Sequence, residues 1–221
     1  MELISQDGAM ASLIFISDQV RPVKGFYLPR LLRAIAERYK TAKAASTEEA
    51  RTSGAIFQDG TFDDGGRSIG IGTLRLFNDG IAAITTDTVD SDLVLDDLFA
   101  WLKQEFQFRD PSTPFIRVYQ SDLVVKFDHD PASAFGLIQS FLDFIQGQGP
   151  PTAHPTKSVV FRNIAFSADP TVPGLTPEFT IERRTNVPWR LGLYFSKAHM
   201  QTKAHIRALE ILDGLLGAAK S

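Results

Sequence analysis

Apolar positions along this chain alternate, cluster or recur every three to four residues, and each pattern predicts an element. Ser12 to Ile16 reads as a short buried strand. Leu28, Leu31, Leu32, Ile35 and Tyr39 fall on one helical face and predict a helix over about 28–40. Pro29 suits its first turn, where a missing N–H costs nothing. The run "KAASTEEARTSG" reads as a polar connection. Ala55 to Phe57 is strand-like, and Ile69–Phe77 and Ile81–Thr86 are strands joined by Asn78-Asp79-Gly80. That tripeptide is a hairpin signal, with Gly80 expected in the left-handed position. Ser91 is expected to cap a helix reaching about Gln107, with Leu95, Leu98, Phe99, Leu102 and Phe106 on its apolar face.

"RDPSTP" breaks the pattern, and Phe115–Val118 and Leu123–Phe127 resume it as strands. Asp130-Pro131 has the composition of a helix start, with Asp130 as cap, for a helix ending near Gln146. "QGQGPPTAHPTK" is the clearest linker. Beyond it come a strand over Val159–Phe166, a Pro-rich loop and two alternating strands. Phe179 and Ile181, then Leu191, Leu193 and Phe195, are expected to face inward. A final helix is expected over about Thr202–Leu216. The order strand, strand, strand, helix thus occurs twice, over 55–107 and 158–216, without residue-level similarity. The pattern predicts an α+β protein with two lobes of mainly antiparallel sheet and packed helices. Its parts are an N-terminal lobe (1–146), a linker (147–157) and a C-terminal lobe (158–221) too small to be independent.

One stretch invites a chemical reading. "FQDGTFDDGGRSIGIG", Phe57 to Gly72, is rich in Asp and Gly. As a calcium loop starting at Asp59 it puts Asp64 where the glycine belongs and Gly70 where the bidentate glutamate belongs. As a dinucleotide fingerprint it offers Arg75 in place of the third glycine and runs into a strand. No Gly-Lys-Ser/Thr follows any glycine run. The expectation is a wide solvated turn over Asp63–Gly66, with Gly70 and Gly72 allowing a neighbouring element to approach closely.

Composition narrows the chemistry further. The 221 residues are 43% hydrophobic and 22% charged, ordinary for a soluble globular chain, with 17 phenylalanines for a core. There is no cysteine, which excludes disulfides, a thiol nucleophile and thiolate metal sites. No basic residue precedes Arg21, the first apolar run is short for a signal peptide, and no run approaches the ~18 apolar residues of a membrane span. The expected compartment is the cytoplasm.

Candidate catalytic groups are sparse. Asp128-His129-Asp130 looks chemical, but Asp130 is accounted for as a cap and neighbouring strand residues point to opposite faces. His199 and His205 miss the i, i+4 spacing of a helical zinc site, His205 heads an apolar stripe, and His154 lies in the linker. Asp92, Asp96 and Asp97 suit a helix start and a solvated helix face. Glu182-Arg183-Arg184 lacks the lysine of an acid-x-Lys nuclease strand, and no Gly-x-Ser-x-Gly occurs. No cofactor and no metal are expected. An enzyme reading would rest on Asp128, His129, Glu182, Arg190 and Tyr194.

The net charge of -3 hides three blocks. Arg21 to Lys43 carries seven basic residues against one acid; Asp59 to Asp97 carries nine aspartates against two arginines; Glu182 to Arg207 carries six basic residues against one acid. Such blocks complement one another, a second chain or a charged partner. The expectation is a non-catalytic cytoplasmic interaction or assembly protein with a protein partner or a second copy. Its contact would comprise Glu182, Arg184, Arg190 and Tyr194 on the outer hairpin face, with Glu182 opposite Arg190. Arg207 and Leu215 would join them from a last helix whose apolar arc is too wide for one-sided burial. The alternative is nucleic-acid association through the basic segments 21–43 and 183–207.

Overall fold

The computed structural model describes residues 1–22, 24–131, 162–167 and 178–218. Its strands are β1 (Glu2–Ile14), β2 (Ala55–Asp63), β3 (Ser68–Leu76), β4 (Gly80–Thr85), β5 (Ile116–Lys126), β6 (Asn163–Ser167), β7 (Glu178–Arg183) and β8 (Leu193–Ala198). Its helices are α1 (Ser17–Val20), α2 (Leu28–Arg38), α3 (Thr47–Thr52), α4 (Thr88–Phe106) and α5 (Thr202–Ala218). The strands hydrogen-bond in the order β2-β3-β4-β1-β5-β8-β7-β6. The β1–β4, β2–β3, β3–β4, β6–β7 and β7–β8 ladders are antiparallel, so the chain is an α+β protein. Two compact units divide it: Gln6–Asp122 with His199–Thr202, and Met1–Ser5 with Leu123–Ala198 and Lys203–Ser221. The linker at 147–157, and all of the expected 130–146 helix after Pro131, lie outside the described residues.

In the unit built on Gln6–Asp122, α2 buries Leu31, Leu32 and Ile35, with Tyr39 just beyond its end, as the helical spacing predicts. These pack with Phe57, Ile71, Leu74, Val94, Leu95 and Leu98 into one core. β1 is far longer than the stretch from Ser12 to Ile16. Its buried positions Ala9, Ala11 and Leu13 alternate, but alanines carry too little apolar surface to announce a strand by composition. The polar run after α2 contains α3, which Ser46 and Glu49 start with a reciprocal capping box. α4 begins a turn earlier than expected. Asp87 is its cap, accepting from the Val89 amide at 2.7 Å. Ser91 lies inside the helix and is fully buried. Its hydroxyl sits 2.9 Å from Thr85 Oγ1 and donates to the Ala9 carbonyl at 3.2 Å, so a polar residue at a core position is satisfied.

The Asp- and Gly-rich stretch is a hairpin. β2 runs to Asp63, Gly65 takes φ +56°, the Asp64 amide donates to the Arg67 carbonyl at 3.0 Å, and β3 starts at Ser68. The turn is solvated, as expected. The close approaches fall on other glycines than Gly70 and Gly72. A Cβ on Gly70 would meet nothing within 4 Å, and one on Gly72 only ordinary contact. A Cβ on Gly80 would lie 2.8 Å from the Leu13 carbonyl oxygen. Gly80 therefore opens β4 for lack of space and not for a left-handed turn; it is not among the residues of positive φ. Gly80→Ala should lower unfolding free energy by about 1–3 kcal/mol in chemical denaturation, because a backbone oxygen has to move. A stability equal to wild type would show that β1 and β4 can separate freely there.

In the other unit, the expected hairpin face is inverted on its second strand. Phe179, Ile181 and Arg183 lie opposite Ala198, Ser196 and Tyr194. Ile181 and Tyr194 pack with Leu209 and Leu216 of α5 and with Leu123, Val125 and Phe127. Leu191 belongs to a 3-10 turn, and Gly192 at φ +61° resets the alternation before β8 starts. Leu193 and Phe195 consequently fall on the other face, and Tyr194 is inside. The polar members of the inner face are bonded: Ser196 Oγ donates to the Thr180 carbonyl at 2.9 Å and lies 2.8 Å from the buried His205 Nε2. Among the described residues, no helix is long and apolar enough to cross a membrane.

Candidate functional site

Helix α5 buries Thr202, His205, Leu209, Asp213 and Leu216, a stripe spaced by three and four residues. Its apolar arc continues past that stripe. Ile211 and Leu215 remain 51% and 63% exposed. With Ala208 and Leu212 they form one wall of a shallow apolar groove of about 280 Å³, and Phe166 of β6 and Phe179 of β7 form the other. Phe166 is itself 55% exposed, its ring 6.2 Å from that of Phe179. Among the described residues, β6 has a strand neighbour on one side only. An apolar groove therefore lies beside a strand edge, the two features that partner strands and helices use for docking.

A second feature of this unit is polar. Arg183 is buried, its side chain 7% exposed. Its Nη1 donates to Tyr194 Oη at 2.8 Å and to Asp130 Oδ2 at 3.2 Å, and its guanidinium lies 5.2 Å from the centre of the Tyr194 ring. Tyr194 in turn donates to Asp130 Oδ1. Burial, then the Asp130 carboxylate, hold the phenol well above its ordinary value, so it remains a donor. These three residues border a recess of about 370 Å³, which Lys126, Asp128 and Arg190 also line. The group 128–130 thus has partners. The Met1 ammonium bonds Asp128 and also Asp213 at 2.8 Å, and the His129 amide donates to Asp213 at 3.1 Å. Burial alone would raise the Asp213 carboxyl, but those two donors hold it below the ordinary range.

The residues expected to form one contact surface are dispersed. Leu215 lines the groove, while Arg190 and Tyr194 line the recess. Glu182 does not face Arg190: it lies opposite Phe195 in β8 and accepts from Arg162 at 2.7 and 3.0 Å. Arg184 reaches Asn186 at 3.4 Å, and Arg207 pairs with Glu210 at 3.1 Å on the outer side of α5. The sequence reading missed Phe166 and placed Asp130 only as a helix cap. The wide apolar arc of α5 pointed to Ile211, but nothing local joins Asp130 to an arginine 53 positions away.

The charge blocks are partly matched within the Gln6–Asp122 unit. Arg38 donates to both oxygens of Asp97 at 2.6 and 3.0 Å, and Lys40 pairs with Asp63 at 3.0 Å. Arg117 bridges Asp92 and Asp96, which explains why α4 tolerates that carboxylate row. Among the described residues, no group of three or more His, Asp or Glu side chains is placed to hold a metal ion. No protein-family model matches the chain, and no curated protein is significantly similar to it.

Proposed function

We propose that this chain is a non-catalytic assembly protein of the cytoplasm, working through protein–protein contacts, and that its first partner is a second copy of itself. The observation that carries the reading is the groove of α5, β6 and β7, with Leu215, Ile211 and Phe166 each more than half exposed beside a strand edge. A two-fold axis at β6 would pair the edge strand with its own copy antiparallel and set the two grooves side by side. Aligned apolar side chains then lose water from both copies, at roughly 25 cal/mol per Å² of apolar surface removed. Arg162 and Glu182 clamp β6 to β7, so the edge is presented by a braced ladder. Nucleic-acid association ranks second. Arg38 and Lys40 already face carboxylates and Arg183 is buried, so both basic segments have cations withdrawn from a phosphate backbone.

Sedimentation velocity on wild type and Leu215→Glu tests the reading. The wild type should move from monomer toward dimer as concentration rises. Leu215→Glu should stay monomeric with its melting temperature unchanged, because an exposed substitution costs about 0.5 kcal/mol or less in the isolated chain. A wild type that remains monomeric at every concentration would overturn self-association. An assembly unaffected by Leu215→Glu would remove the contact from α5.

A further inference from the structure

The core of the Gln6–Asp122 unit holds a cavity of about 110 Å³. Leu28, Leu31 and Leu32 of α2, Phe99 and Leu102 of α4, and Ile81 of β4 supply most of its apolar wall. Close-packed interiors leave few voids larger than a water molecule. An apolar cavity of comparable size, about 150 Å³, is known to stay dry and to accept a benzene ring. This pocket is open at its rim, yet seven of its lining residues are buried, so it is apolar space that the core leaves unfilled.

The rim differs from the wall. Arg21 and Asn78 border the same cavity, and the Arg21 guanidinium donates to Asn78 Oδ1 at 3.0 Å. That partner is a neutral amide, so the hydrogen bond leaves the positive charge uncompensated; among the described residues no carboxylate forms an ion pair with Arg21. The rim is also braced. Arg109 donates from Nε to the Arg21 carbonyl at 2.8 Å and from Nη2 to the Asp18 carbonyl at 2.7 Å, while its amide donates to the Val20 carbonyl at 2.9 Å. Phe26 packs on Phe108 with ring centres 5.5 Å apart, and both line the cavity. An apolar pocket with one exposed guanidinium at its mouth, anchored to Asn78, matches a small amphiphilic anion.

We propose that this cavity binds a small carboxylate with an apolar or aromatic body of about six carbons. The body fills the space between α2 and α4, and the carboxylate replaces Asn78 as the acceptor of the Arg21 guanidinium. The site lies wholly within one unit and does not depend on self-association.

Titration followed by amide NMR tests it, with phenylacetate as the probe, toluene as the body without the head and acetate as the head without the body. Phenylacetate should shift amides of α2 and α4, acetate should not, and toluene should bind more weakly. Arg21→Gln should weaken phenylacetate about tenfold or more and leave toluene unchanged. Leu31→Phe should abolish both by filling the chamber; Ala50→Leu, at another point of the wall, serves if Leu31→Phe fails to fold. Absence of phenylacetate binding would overturn the proposal, as would binding that survives the filling variant. Equal affinity in wild type and Arg21→Gln would overturn the role of the cation.

Discussion

Tyr39→Ala is expected to remove about 3–5 kcal/mol of unfolding free energy, a large part of what a single domain has. Tyr39 follows α2 and is fully buried, against Phe62 at 6.1 Å between ring centres and within the core that includes Phe57 and Leu98. Its hydroxyl donates to Asp97 Oδ2 at 2.7 Å, and the same carboxylate accepts two bonds from Arg38. Tyr39→Phe keeps the ring and loses only the charge-assisted bond, so about 1.5–3 kcal/mol is expected. Equal losses in the two variants, measured by urea unfolding, would show that the ring contributes nothing beyond its hydroxyl. A pH dependence goes with this. Burial first, and Asp97 second, raise the phenol far above its ordinary value of 10.0. Above about pH 10 the unfolded chain releases that proton while the native chain keeps it, so stability falls as pH rises. Tyr194 contributes in the same direction. The decline should be shallower in Tyr39→Phe.

The second large effect is asymmetric. Asp130→Ala removes the carboxylate that Arg183 Nη1 and the Tyr194 hydroxyl share, which is expected to cost about 1.5–3 kcal/mol. Arg183→Met removes the cation from the other side. Asp130 is 49% exposed and can be hydrated instead, and the methionine keeps much of the apolar stem, so about 1–2 kcal/mol is expected. The Tyr194 hydroxyl still has Asp130 to bond in that variant. A double variant should be less destabilised than the sum of the two single variants, because both remove the same ion pair. If Arg183→Met proves the costlier of the two, the guanidinium is packed for its contacts and not held by this carboxylate.

Much of the fold was legible where apolar residues are large and the element is covered on one side. α2 and α4 announced themselves by leucine spacing, and the turn after Asp63 by its glycines. β1 was mostly hidden because its core face is Ala9, Ala11 and Leu13, small side chains that bury well yet say little. The start of α4 was misplaced because Ser91 resembles a cap by type while its hydroxyl serves Thr85 and the Ala9 carbonyl in the interior. β8 was read inside out for a related reason. Tyr194 and Ser196 are polar by type but buried by partnership, and Gly192 with the preceding 3-10 turn displaces the period by one. Of the candidate site, Leu215 could be found from the breadth of the α5 arc. Of the recess, Asp128, Arg190 and Tyr194 stood among the residues an enzyme reading would rest on, but Asp130 and Arg183 could not be joined to them, because no spacing in the chain encodes that meeting.

The pairing of two copies across β6 is open to a direct distance measurement. The chain has no cysteine, so Ala165→Cys introduces a single attachment point for a nitroxide label at an exposed position on the edge strand. A five-residue strand is about 17 Å long, so any antiparallel pairing of β6 with its own copy keeps the two labelled backbones within about 17 Å. Pulsed electron paramagnetic resonance, with continuous-wave line broadening for the shortest separations, should report such a short distance, and it should vanish when Leu215→Glu is added. A dimer whose labels lie far beyond that range, or no dipolar coupling at concentrations where wild type should be dimeric, would contradict assembly through β6 and α5.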